Sequence, residues 1–197
     1  MGSEAEFFDS IAEEWDGWEC PDIQVRLARV LEYAKISAEM RVLDVGTGTG
    51  VFLRLLSGAV GESGSVLGID ISAGMLAVAR RKGLPPNVRL ELVPFGEIEG
   101  NADYDRVMIN AVFPHLGDSS AALNRATRLL RAGGLVVISH PIGREAVNRL
   151  HGGSSEVVAE DRVPLAEEFH RLFARAGLVD AAVVDEPEFH LAIARKG

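Results

Sequence analysis

The segment Val42-Leu43-Asp44-Val45-Gly46-Thr47-Gly48-Thr49-Gly50 runs an apolar strand into three alternating glycines. Glycine there lets the backbone turn sharply and lets a ligand lie against the main chain. A helix is expected to start near Val51, and its first turn offers unpaired N–H groups. Twenty residues beyond Gly50, a second strand ends in Gly68-Ile69-Asp70-Ile71-Ser72. A carboxylate at that strand end accepts the hydroxyl hydrogens of a ribose in open α/β sheets, whose ligands sit beyond the carboxyl ends of the strands.

Two common nucleotide sites do not match. The dinucleotide pattern G-x-G-x-x-G would need glycine where Val51 stands. The phosphate-cradling P-loop needs Gly-Lys-Ser/Thr, which this loop lacks. The ligand is therefore expected to be a nucleoside whose phosphates are replaced by another group.

Short apolar runs alternate with amphipathic segments from Arg41 to Pro141, as when parallel strands are joined by crossover helices. Strands are predicted at 41–45, 65–69, 88–93, 104–109 and 135–139. Helices are predicted around Met75, Leu76 and Ala79, capped by Ser72, and from Leu123 to Arg131, stopped by Gly133-Gly134. Stripes through Phe7, Phe8, Ile11, Ala12 and Trp15, and through Ile23, Leu27, Val30, Leu31 and Ala34, predict two helices ahead of this core. A last helix follows from Leu165 to Ala176. The runs 178–184 and 189–194 are separated by only Asp185-Glu186-Pro187-Glu188. That linker is too short for a parallel crossover, so these strands should be antiparallel. The expectation is one α/β domain with a Rossmann-like, seven-stranded, mainly parallel sheet and an antiparallel last strand. Residues 1–38 form a helical cap and 39–197 the core.

A formal net charge of −9, without a concentrated basic stripe, argues against a nucleic-acid partner. No apolar run is long enough to span a bilayer, and the start carries no secretory pattern, so no membrane partner and a cytoplasmic location are expected. A single cysteine, Cys20, excludes a disulfide framework or a multi-thiolate zinc site within one chain. Nothing here fixes the oligomeric state.

The glycine segment from Asp44 to Gly50 and the Gly68–Ser72 segment resemble the first two signatures of the class I S-adenosylmethionine-dependent methyltransferases. Arg128-Leu129-Leu130-Arg131-Ala132-Gly133-Gly134-Leu135-Val136-Val137-Ile138 resembles their late helix-turn-strand stretch, and the closing strand pair is similar to their C-terminal hairpin. Phe7-Phe8-Asp9-Ser10-Ile11-Ala12-Glu13-Glu14-Trp15-Asp16 resembles the cap helix of the small-molecule branch that includes quinone-ring methyltransferases. The resemblance implies S-adenosylmethionine as cofactor and S-adenosylhomocysteine as product. It places Gly46, Thr47, Gly48 and Gly50 against the methionyl part, Asp44 toward its ammonium or the loop, and Asp70 on the ribose. Ile71 and Met75 would line the adenine, with Asn110 near the sulfonium. Family members commonly place an acid and a small residue after the third strand, where this chain has Val93-Pro94-Phe95-Gly96. Either Phe95 stacks on the adenine or Glu97 supplies the acid from a displaced loop.

Methyl transfer needs an aligned nucleophile and, for an acidic acceptor, a nearby base. His115 follows the fourth strand and His140 the fifth, both at the ligand-facing edge, and both are candidate bases. Trp15, Arg144 and His151 join them as candidate acceptor residues. His170 and His190 are expected to be structural or on the surface. His115, His140 and His151 form no short ligand motif, so no intrinsic metal site is expected. The competing classes are a non-catalytic binder of the same nucleoside and, disfavoured by Val51, a nicotinamide-dependent oxidoreductase.

Overall fold

The computed structural model describes residues 4–18, 21–152 and 161–197. The seven apolar runs become strands: β1 Arg41–Val45, β2 Ser65–Asp70, β3 Val88–Leu92, β4 Tyr104–Asn110, β5 Leu130–His140, β6 Leu178–Glu186 and β7 Phe189–Lys196. They form one sheet in the order β3-β2-β1-β4-β5-β7-β6. Strands β1 to β5 pair in parallel, and β7 pairs antiparallel with both β5 and β6. The strand order reverses between β1 and β4, which opens the crevice where ligands of such sheets bind.

The described residues include seven α-helices: α1 Glu4–Ile11, α2 Ile23–Ala34, α3 Leu53–Val60, α4 Ala73–Arg81, α5 Ser119–Leu129, α6 Arg144–Gly152 and α7 Ala166–Arg175. Strand alternation divides the core in two. Val42, Val66, Met108 and Val137 pack with Leu27 and Val30 of α2 and Leu53 and Leu56 of α3. Leu43, Val107, Val136 and Ile138 pack with Leu123 and Ala126 of α5 and Phe169 and Phe173 of α7. With both faces buried, a slip of one residue in β1 would exchange its two apolar sets, so packing fixes where Asp44 points. Arg106, 8% exposed, closes the end of α2 by donating to the Ala34 carbonyl at 2.5 Å and the Lys35 carbonyl at 2.9 Å.

Three boundaries differ from expectation. Helix α3 starts at Leu53, because Val51 and Phe52 are still in the turn that leaves Gly50. The first stripe breaks at Ile11, and Trp15–Trp18 form a separate 3-10 helix. Gly133-Gly134 does not stop α5. The helix ends at Leu129, Leu130 already pairs with Tyr104, and Gly133, at φ +75°, sits where the register shifts along β5. No helix among the described residues is long and apolar enough to cross a membrane.

Candidate functional site

The end of β1 carries a buried acid. Asp44 is 2% exposed, and its Oδ2 accepts a hydrogen bond from the Thr47 hydroxyl at 2.7 Å. Burial pushes its carboxyl up to about 7; the Thr47 hydrogen bond opposes this and the Asp70 charge adds to it. Thr47 itself is buried, and its N–H donates to the Ile69 carbonyl, lashing the loop to β2.

All three loop glycines have positive φ, at +65° for Gly46, +55° for Gly48 and +81° for Gly50, but their surroundings differ. A Cβ at Gly46 would meet the Val112 side chain at 2.6 Å, and one at Gly50 would meet Leu53 at 2.9 Å and Ala79 at 3.2 Å. At Gly48 nothing lies within 4 Å. Gly46 and Gly50 thus have packing reasons to lack a side chain, while Gly48 borders open space.

Asp70 ends β2 beside that space. Its Oδ2 accepts the Gly48 N–H at 2.8 Å and its Oδ1 accepts the Ser72 N–H at 2.9 Å. Burial raises its pKa, opposed by backbone donors from Ser72, Gly48 and Ile71. Ser72 caps α4 as expected, accepting the Met75 N–H at 3.0 Å. The N-terminal segment then crosses this corner. Asp9 Oδ1 accepts the Ser72 hydroxyl at 2.6 Å and the Gly74 N–H at 2.8 Å, and those two donors, in that order, hold its pKa down. Asp16 accepts the Thr49 hydroxyl and pairs with Lys82, each at 2.5 Å. Burial works to raise the Asp16 pKa, but Lys82 and Thr49 outweigh it and the net direction is downward. Met75 is buried with Ala12 and Val78 under Phe8, Ile11 and Trp15. Ile71 is half-buried, Glu97 is exposed, and Phe95 is 6% exposed within the core cluster that includes Ile69 and Ile98.

At the end of β4, Asn110 Oδ1 accepts the Ser139 hydroxyl at 2.9 Å. Ala111 follows in the left-handed region at φ +57°, held there as its N–H donates to the Ser139 carbonyl at 2.7 Å. His115 lies just beyond, its Nδ1 2.6 Å from Asp161 Oδ2 and its ring edge-on to Phe8 at 5.6 Å. Glu4 completes this group, and the ligating atoms of Glu4, His115 and Asp161 lie within 4.8 Å of one another. Burial, and then the Asp161 charge, raise the Glu4 pKa.

His140 belongs to a different network. It is 2% exposed and packs beside His190, which stacks toward Phe169 of α7. His190 is fully buried, and burial pulls its pKa down despite Asp185 at 3.6 Å. Arg144 donates to Asp185 at 2.8 Å, Trp15 packs edge-on to Phe8, and His170 is exposed. The His151 side chain and Cys20 lie outside the described residues. Sequence reasoning missed Glu4, Asp9, Asp16 and Asp161. Asp9 and Asp16 carried one signal, acids flanking the apolar stripe of the cap. Asp161 carried none, because it meets His115 across 46 positions.

Residues 36–177 match a family described as a methyltransferase domain. The malonyl-[acyl-carrier protein] O-methyltransferase of Acetivibrio thermocellus is 28% identical over 165 residues, covering 82% of this chain and 56% of the relative. The demethylmenaquinone methyltransferase of Staphylococcus aureus is 38% identical over 112 residues, covering 55% and 46%. The chain thus spans about half the length of these curated relatives. Among solved structures, an Aquifex aeolicus protein described as a SAM-dependent methyltransferase has a TM-score of 0.74 at 24% identity, covering 95% of this chain and 97% of its own. A Haemonchus contortus phosphoethanolamine N-methyltransferase solved with S-adenosyl-L-methionine has a TM-score of 0.77 at 19% identity, covering 100% and 60%. At these identities the structures speak for the fold.

Proposed function

The chain belongs to the methyltransferase domain family, and we propose that it transfers a methyl group from S-adenosylmethionine to a small-molecule acceptor, releasing S-adenosylhomocysteine. The observation that carries this reading is the open space at Gly48, bordered by the Asp70 carboxylate that accepts the Gly48 N–H. Those residues fit an adenosine carrying an amino acid: a bare main chain for close approach, an acid at the ribose position and a second acid, Asp44, beneath the loop.

When bound, S-adenosylmethionine supplies an electrophilic methyl carbon on a sulfonium, so transfer is an in-line displacement without a covalent enzyme intermediate. In this reading Asp70 holds the ribose hydroxyls. Gly46, Thr47, Gly48 and Gly50 shape the methionyl wall, and Asp44 balances the ammonium. Ile71, Met75 and Phe95 give the adenine an apolar surround, with Asn110 nearest the sulfonium side. His115 takes the proton of an acidic acceptor at the end of β4. His140, 2% exposed in its network with His190, is left out of this role. Trp15 and Arg144 border the acceptor.

A small organic acceptor is favoured by relatives named for malonyl-acyl-carrier protein and demethylmenaquinone. The net charge of −9 disfavours a nucleic acid. Calorimetry with S-adenosylhomocysteine, followed by mass spectrometry of a panel of phenols, quinols, thiols and carboxylates incubated with S-adenosylmethionine, tests the reading. One-to-one binding and a methylated product are expected. Binding without transfer to any panel member would favour a non-catalytic binder, and no binding at millimolar concentration would reject the cofactor assignment.

A further inference from the structure

Where α1 begins, three groups meet that the methyl-transfer reading does not need together. Glu4 opens α1, His115 lies in the turn after β4, and Asp161 lies ahead of α7, yet each places a ligating atom within 4.8 Å of the other two. The imidazole is held rather than loose: its side chain is 9% exposed, Phe8 packs edge-on against it, and Asp161 sits 2.6 Å from Nδ1. The Asp161 side chain is 23% exposed. We propose that Glu4, His115 and Asp161 form a binding site for a divalent first-row transition-metal ion.

The geometry needs little adjustment. Two donors about 2.1 Å from one ion lie about 3.0 Å apart at a right angle and about 3.4 Å apart at the tetrahedral angle zinc prefers. Opening the His115–Asp161 contact from 2.6 Å by about 0.4 to 0.8 Å therefore lets an ion replace the hydrogen these atoms share. One nitrogen and two carboxylate oxygens suit a borderline ion, zinc or manganese, better than magnesium, which prefers oxygen and retains its waters. Three protein donors leave at least one coordination position open, as in catalytic rather than structural sites. An ion there lowers the pKa of a bound hydroxyl, the same service expected of the His115 imidazole by another route. It also ties the start of α1 to the segment ahead of α7. The site goes beyond the methyl-transfer reading and does not rest on it.

The test is calorimetric titration of the chelator-stripped full chain with zinc, manganese and magnesium chloride, beside E4Q, H115Q, D161N and the exposed-histidine control H170Q. One-to-one binding is expected, tightest for zinc and weakest for magnesium. Each of the three site variants should lose at least about tenfold in zinc affinity, the lower bound seen when only an outer partner of a ligand is removed. H170Q should bind as the parent does. Melting curves without metal show whether each variant is folded, and any unfolded one is replaced by its alanine counterpart. Absence of zinc binding, or zinc binding that all three site variants retain, overturns the proposal. S-adenosylhomocysteine binding by the parent chain, measured in parallel, reports separately on the methyl-transfer reading.

Discussion

At the carboxyl ends of β1 and β2 the polar groups are tied by nearby main chain: Asp70 accepts from Gly48 and Ser72, and Thr47 reaches both Asp44 and Ile69. At the end of β4 and beyond, side chains from remote segments make the ties, with Glu4 and Asp161 around His115. The first region is built mainly from two short segments, with Asp9 and Asp16 of the cap joining it at Ser72, Gly74 and Thr49. The second exists only once three distant parts of the chain have come together. A cofactor shared across a family suits the first kind of construction, and an acceptor that varies between members suits the second.

The sharpest way to break this contrast is at the glycines. Gly46→Val combines a left-handed backbone with a Cβ position 2.6 Å from Val112. It should destabilise the fold by about 2 to 5 kcal/mol, read from urea denaturation. Gly48→Ala has room for its methyl group and should cost only about 1 to 2 kcal/mol of stability, for the left-handed conformation. Its damage should fall on S-adenosylhomocysteine affinity. If both variants lost stability equally, Gly48 would not be the residue that faces the ligand.

Asp70→Ala removes the acceptor from the Gly48 N–H and from the ribose position. It should weaken S-adenosylhomocysteine binding by about 2 to 4 kcal/mol in calorimetry, given about 1.5 to 3 for each hydrogen bond to a charged group. Unchanged affinity would remove the ribose role.

The buried acid gives a pH dependence of known sign. Asp44 keeps its proton in the folded chain up to about pH 7, against 3.8 for an ordinary aspartate. The proton therefore favours the folded state at low pH, and its contribution is lost as pH rises through about 7. Ligation runs the other way, because an ammonium prefers the carboxylate. S-adenosylmethionine affinity should rise about fivefold between pH 6 and pH 7, before an α-amino group with a pKa of about 7.7 to 8.0 loses its proton, and Asp44→Asn should flatten that rise. A profile that Asp44→Asn leaves intact would assign the acid to the loop alone.

The smallest effect is expected at the strap. Asp9→Ala deletes the acceptor of the Ser72 hydroxyl and the Gly74 N–H. It should cost about 1 kcal/mol in urea denaturation, the usual value of a lost helix cap. A much larger loss would make the N-terminal segment part of the core rather than a cover on it.

The same contrast explains what could be read from the sequence. β1 and β2 were legible to within a residue, because their apolar runs end in glycine and acid signals that lie in one line of sequence. Ser72 was legible as a cap for the same reason. The start of β5 was not. Leu130 and Arg131 continue a helical stripe, and only the pairing of Leu130 with Tyr104, across a register shift, makes them strand. The roles of the loop glycines separate only when Val112 and Leu53 are seen against them. His115 and His140 looked equivalent as residues following parallel strands. Strand alternation and the packing of His190 and Phe169 put His140 into a buried network of its own.

The placement of β7 between β5 and β6 bears on how the polypeptide is assembled. Among the described residues the only strand that pairs with β6 is β7, so nine residues of strand made earlier wait for eight made later. On the ribosome, five parallel strands can associate while this edge of the sheet stays unfilled. Closing it falls to Phe189–Lys196, which makes that stretch the keystone of biosynthesis, and a premature stop ahead of it would leave β6 packed on α7 without a partner strand.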